Sequence, residues 1–254
     1  KAQSKSYMWV TCMGSAPPGK QIILFHYEAS RSGEVILNLL EDFEGTLQTD
    51  GYKGYNIVSR ENKKIRHVAC WAHVRRKFDE ALRTIPEHKR KKDHIAVIGL
   101  KFIRELYKIE HDIEKMNKFD RTLARSIKTK NVMAEMKAWM DKEVNLVPGT
   151  SLAGKAINYT LNLWDKLVIP AEDETIKLDN NTIENKIRPF VIGRKNWLFC
   201  ASVAGAESSA TLYSLIETAK ANGLSSFEYI QKILKEIPLA NSVEDFEKLL
   251  PFKN

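Results

Sequence analysis

Residues 1–70 carry short apolar runs separated by turn residues, the pattern of strands joined by brief connections. Tyr7 to Met13 is aromatic and β-branched and predicts a strand. Gly14-Ser15-Ala16-Pro17-Pro18-Gly19 is turn chemistry, and Gln21 to Tyr27 predicts the returning strand of an antiparallel hairpin. Ser32 is placed to cap a helix in which Val35, Ile36, Leu39, Leu40 and Phe43 share one face, with Gly45 as its stop. Thr46 to Asp50 and Ile65 to Cys70 predict two more strands, with a short helical stretch between them. A hairpin followed by parallel crossovers implies a mixed sheet with helices packed on it, an α/β architecture.

From about Ala72 to Leu167 the period becomes helical. Phe102, Leu106, Ile109 and Ile113 repeat at helical spacing, and Pro148-Gly149-Thr150 divides the block. After Asp179, Asn180 to Arg188 predicts a short helix and Trp197-Leu198-Phe199 an apolar turn or strand. Glu207 to Asn222 predicts an amphipathic helix closed by Gly223, and two short helices finish the chain.

Composition narrows the class. With 43% hydrophobic and 28% charged residues, the 254-residue chain can fill a core and is too charged for a membrane protein. Its apolar runs, such as Ile22 to Phe25, fall far short of a spanning helix, and no secretory leader opens it. The first residue is Lys1 rather than Met, and the expectation is that residues upstream have been removed. Cys12, Cys70 and Cys200 lie far apart, which excludes a disulfide scaffold or a four-Cys zinc module. The expected compartment is the cytoplasm.

The net charge of +8 favours a polyanionic partner, and its distribution is uneven. Gly51 to Lys92 holds 13 Lys/Arg against 4 Asp/Glu, so the positive charge sits in one stretch and the remainder is close to neutral.

Three clusters are candidates for chemistry. Asp50 ends a strand and is followed by Gly51-Tyr52-Lys53-Gly54-Tyr55. A carboxylate at the carboxyl end of a strand, with glycines beside it, suits a metal or phosphate site, while an Asp capping the next turn is the alternative. In Asp179 to Pro189, Asn181 and Glu184 have the spacing of a reciprocal helix cap, and Glu184 and Arg188 that of a surface ion pair. The same carboxylate flanked by Arg188, Arg194, Lys195 and Trp197 also suits a metal-dependent nucleic-acid site. In Cys70 to Phe78, Arg75 and Arg76 offer planar donors to phosphate, and Trp71 a ring to stack on a base. Cys70 and His73 read either as metal ligands or as a buried thiol and a hydrogen-bonded imidazole. Lys89 to Lys92 reads as a solvated helix end or a weak phosphate contact.

Three segments together resemble transposases of the insertion-sequence sixty-six family. They are Leu47 to Tyr52, Ala69 to Phe78, and Asp179 through Glu184 to Pro189, the last continuing from Ile192 to Phe199. Tyr213 to Lys220 and Leu249-Leu250-Pro251 fit as well, so the likeness runs in order along nearly the whole chain. About Ile85 to Val147 is the part least like the family.

The resemblance implies a ribonuclease-H-like catalytic domain of DDE type. Asp50 would be its second carboxylate and Glu184 its third, both metal ligands. His73, Trp71 and the cations Arg75, Arg76, Arg188, Arg194 and Lys195, with Trp197, would contact DNA. The family's first Asp lies on a strand before the segment matching Tyr7 to Val10, and nothing in Lys1 to Ser6 supplies it. The expected organisation is a first part of the core over 1–78, a helical insertion over 79–172, a core continuation with the Glu helix over 173–223, and a helical tail over 224–254. Two Mg²⁺ or Mn²⁺ ions would serve the intact enzyme, with weak or absent binding in this chain, which is expected to be inactive alone. Implied partners are double-stranded DNA (transposon ends and target), further copies of the chain and element-encoded accessory proteins, in a bacterial host and away from membranes. Two other functions stand beside this one: a non-catalytic DNA-binding or assembly module derived from a transposase, and a nuclease or resolvase that cuts without joining.

Overall fold

The computed structural model describes residues 5–198 and 200–252. The chain divides into two compact units, Lys1–Val35 with Asn181–Asn254, and Ile36–Asn180.

In the first unit, β1 (Tyr7–Cys12) and β2 (Ile23–Glu28) form the expected antiparallel hairpin, with Trp9 opposite His26. Helices α9 (Asn181–Trp197), α10 (Val203–Ala221), α11 (Ser226–Glu236) and α12 (Val243–Lys248) complete it. Ile23 and Phe25 point into a core shared with Phe190 and Ala210, while Leu24 on the alternate face is exposed.

Among the described residues, the outer edge of β2 carries no third strand. Two side chains of α10 and that of its C-cap Asn222, one turn apart, hydrogen-bond the backbone there instead. Ser214 accepts from the Phe25 amide at 2.8 Å, Thr218 from Ile23 at 3.0 Å and Asn222 from Gln21 at 2.8 Å. Thr218 and Asn222 also donate to the Ile23 and Gln21 carbonyls, at 2.9 and 3.0 Å. Gly223, at φ 71°, then ends the helix as expected.

In the second unit, β3 (Gly45–Thr49) and β4 (Ile65–Ala69) are parallel, with Thr49 opposite Ala69, and α2 (Asn56–Glu61) lies in the crossover. The single mixed sheet expected from sequence is, among the described residues, two separate two-stranded pieces. Within the first unit, the side chains of α10 occupy the edge of β2 where another strand would pair.

The helical block runs through α3 (Trp71–Arg83), α4 (Ile95–Ile113), α5 (Lys118–Ala124), α6 (Lys130–Glu143), α7 (Leu152–Asn162) and α8 (Trp164–Leu167). Its core is continuous with the end of β4. Ala69, Trp71, Val74 and Phe78 pack with Leu100, Ile103, Leu106, Met136, Met140 and Ile157 in one cluster that reaches Leu178. Arg125, almost fully buried, fixes the return path. Its guanidinium pairs with Glu110 and donates to the carbonyls of Pro170, Asp173 and Ile176 at 3.1, 2.7 and 2.9 Å. The following segment is held by the Trp71 amide on the Leu178 carbonyl at 2.9 Å and by the Gln48 side chain on that of Lys177 at 2.7 Å.

No helix of the described residues is long and apolar enough to cross a membrane.

Candidate active site

The carboxyl ends of parallel strands converge backbone and side-chain polar groups, and ligand sites gather there. At this end of β3, Asp50 is half-buried and its Oδ1 accepts from the Tyr52 amide at 2.9 Å. The turn-capping contact is therefore formed, and it orients the carboxylate. Behind it, the Thr49 hydroxyl lies 2.8 Å from the Asp50 carbonyl and 2.8 Å from His67 Nε2. Ser59 Oγ lies 3.3 Å from the other ring nitrogen, Nδ1. Burial, aided by the Lys166 charge, holds His67 down at about 4, so its imidazole is neutral at physiological pH.

Two tyrosines that the sequence reading did not single out come from the helical block to this end of the strands. The Tyr159 hydroxyl from α7 lies against the Gly51 backbone, and burial, with the Asp50 charge next in size, pushes that phenol up to about 12. Tyr107 from α4 donates to Asp179 Oδ2 at 2.8 Å, and burial with this partner raises its pKa strongly. Tyr107 follows buried Leu100 and Ile103 by seven and four residues, on the apolar stripe of α4, so its pattern reads as core. Tyr159 likewise carries no mark of a second role.

At the end of β4, Cys70 is buried and its Sγ accepts from the Asn180 amide at 3.4 Å. Burial raises the thiol pKa, so the thiolate that metal ligation needs is disfavoured. The first turn of α3 then separates the expected DNA contacts. Arg75 and Arg76 are exposed and His73 is half-buried. Trp71 is a correction to the sequence reading: its ring is completely buried and its Nε1 donates to the Leu167 carbonyl at 2.9 Å. It has no face to offer a base. Trp71, Val74 and Phe78 share the inward stripe of α3, which places Arg75 and Arg76 outward.

In the other unit, Glu184 is half-buried on the first turn of α9. The helix is longer than the sequence predicts, running through Pro189 to Trp197, with Leu198 at φ 62° beyond it. Phe199, the last residue of the expected apolar turn or strand, lies outside the described residues. Proline removes one backbone donor, and the packing of Phe190 on Phe25, Tyr213 and Trp197 carries the helix past it. Glu184, Arg188 and Lys195, spaced by four and seven residues, fall on one stripe, with Arg194 to one side. The three cations are exposed, and Trp197 keeps 41% of its surface open while its ring lies 6.3 Å from Tyr213.

A family model described as transposase IS66 family matches residues 1–208, and another, the IS66 C-terminal element, matches residues 214–252. The chain belongs to the IS66 transposase family. Among its relatives in Sinorhizobium fredii (strain NBRC 101917 / NGR234), the uncharacterized protein y4jD is 32% identical over 245 residues, covering 94% of this chain and 46% of y4jD. The uncharacterized protein y4qI is 28% identical over 258 residues, covering 98% of this chain and 47% of y4qI. The chain thus spans about half the length of the curated relatives it matches. No solved structure matches it. Membership of the IS66 family assigns the chain a transposase-related role.

Proposed function

We propose that this chain is part of a DDE-type transposase with a ribonuclease-H-like core, which cuts DNA at a transposon end and joins the freed end to a target. The observation that carries this reading is Asp50 directly after the buried Thr49 at the carboxyl end of a parallel strand, its carboxylate oriented by the Tyr52 amide, within the region that matches the family.

Asp50 and Glu184 are hard oxygen donors of the kind that suit Mg²⁺ or Mn²⁺. Among the described residues no three His, Cys, Asp or Glu side chains gather into a metal-binding group, so the donors fit in type and fall short in number. A bound divalent ion supplies Lewis acidity at the attacking and leaving oxygens of an in-line displacement. This chain's own part is to bind and orient. Arg188, Arg194 and Lys195 on α9 hold non-bridging phosphate oxygens near Glu184, and Arg75 and Arg76 on α3 hold the flanking backbone. The DNA partners are transposon ends and target, and paired-end joining calls for further copies of the chain, with element-encoded accessory proteins as additional partners.

The exposed cations of α3 and α9 also suit a second reading, a transposase-derived module that docks on DNA without chemistry. One assay separates the two. The protein is extended to the full length of its relatives and given transposon-end DNA with Mn²⁺, beside Glu184→Ala. Joined products that vanish in the variant support the three-carboxylate transposase. Cleavage without joining moves the assignment to a nuclease. DNA binding without chemistry in both proteins establishes the docking module.

A further inference from the structure

We infer that Tyr159 is a positioning residue for Asp50, so that the helical block braces the carboxylate at the end of β3. This rests on the catalytic reading of Asp50 given above.

The turn that carries Asp50 is held at three points. Thr49 fixes its entry through the Asp50 carbonyl and His67. The Asp50 carboxylate fixes its exit through the Tyr52 amide. Between them lies Gly51, against whose backbone the Tyr159 hydroxyl packs. A Cβ built on Gly51 would collide with that hydroxyl and with the ring carbon bearing it, so only glycine lets the phenol reach the peptide. The phenol is delivered by a firmly seated element. Ala156, Ile157 and Thr160 of α7 are fully buried, and α7 packs on α3. Thr160 also returns its hydroxyl to the Ala156 carbonyl at 2.8 Å.

A ring used only for packing would not need its oxygen against a peptide bond next to the key carboxylate. Here the oxygen is the contacting atom, and the residue it contacts has no Cβ to block it. Three holding points on one short turn restrict Asp50 before any ligand arrives, the preorganisation that in-line chemistry requires.

Tyr159→Phe keeps the ring and deletes only the anchor. The test is residue-resolved amide hydrogen exchange on this chain, free of metal and DNA. Gly51 and Tyr52 are expected to exchange about tenfold faster in the variant, while Val68 in β4 and Ile157 in α7 stay at their wild-type rates. Unchanged rates at Gly51 and Tyr52 would overturn the inference, as would an equal rise at Val68 and Ile157, which would mean general loosening. In the extended protein, Tyr159→Phe is expected to slow strand transfer about tenfold at saturating DNA and to leave the half-saturating DNA concentration unchanged. An unaltered transfer rate there also overturns it. If the extended wild type transfers no strands, the catalytic reading fails, and the exchange rates alone decide whether the brace exists.

Discussion

Thr218 and Ile23 form a two-point clasp: one hydroxyl accepts from the Ile23 amide at 3.0 Å and donates to the Ile23 carbonyl at 2.9 Å. Both groups are buried, so water cannot replace the hydroxyl. Thr218→Val keeps the shape and strands one amide and one carbonyl. It is expected to cost roughly 2–4 kcal/mol in urea unfolding, whereas Thr218→Ser, which keeps the hydroxyl, costs far less. Equal losses in the two variants would show that the clasp contributes nothing beyond packing.

Arg125 is 6% exposed and bonds five acceptor atoms, two on Glu110 and three on the Pro170–Ile176 segment. Arg125→Met fits the volume but leaves Glu110 and three carbonyls without their donor. The expected loss is about 3–5 kcal/mol, the range for breaking one side of a buried pair. The loss should be visible as early exposure of residues 170–178 to limited proteolysis.

His67 makes the second unit sensitive to acid. In the folded chain its imidazole stays neutral down to about 4, whereas in the unfolded chain it takes up a proton near the ordinary 6.5. Between these values the unfolded state binds the extra proton, so stability is full above pH 6.5 and falls as pH drops toward 4. The expected loss is about 3 kcal/mol over that window. Urea titrations at pH 7 and pH 4 should show this much less difference in His67→Gln than in wild type.

The exposed cations of α3 and α9 predict salt-sensitive DNA binding that is largely indifferent to sequence. Each phosphate contact removed, as in Arg76→Ala or Arg188→Ala, should lower the slope of log affinity against log salt by about 1. Trp71→Phe should leave that slope unchanged, since the ring is enclosed. Filter binding across a salt series separates these cases, and a salt-independent affinity would remove the DNA assignment of Arg76 and Arg188.

Local pattern made the strands, the Gly223 helix stop and the place of Asp50 at a strand end readable, because alternation and turn residues act over a few positions. Trp71 was misread although its signal was present. An aromatic beside two arginines suggests stacking, yet its three- and seven-residue spacing to Val74 and Phe78 already put it on the apolar stripe. The length of α9 was hidden because Pro189 looks like a stop, and the aromatic packing that carries the helix onward comes from β2 and α10, far away in sequence. Tyr159 was unreadable for a similar reason. Its partner Gly51 is an ordinary turn glycine until the fold brings α7 to it.

The rungs between α10 and β2 also work as a vernier. Four residues of helix advance about 6.0 Å. Two residues of strand advance about 6.8 Å. Each rung therefore slips by under an ångström, which side chains absorb over the span from Ser214 to Asn222 and would not absorb over a much longer one. A one-residue insertion or deletion inside 214–222 or inside 21–25 would put the two scales out of phase and break rungs together, while the same change in the loop before β2 would leave them aligned. Tolerance to length change in this part of the chain is thus set by where two rulers of different pitch happen to coincide.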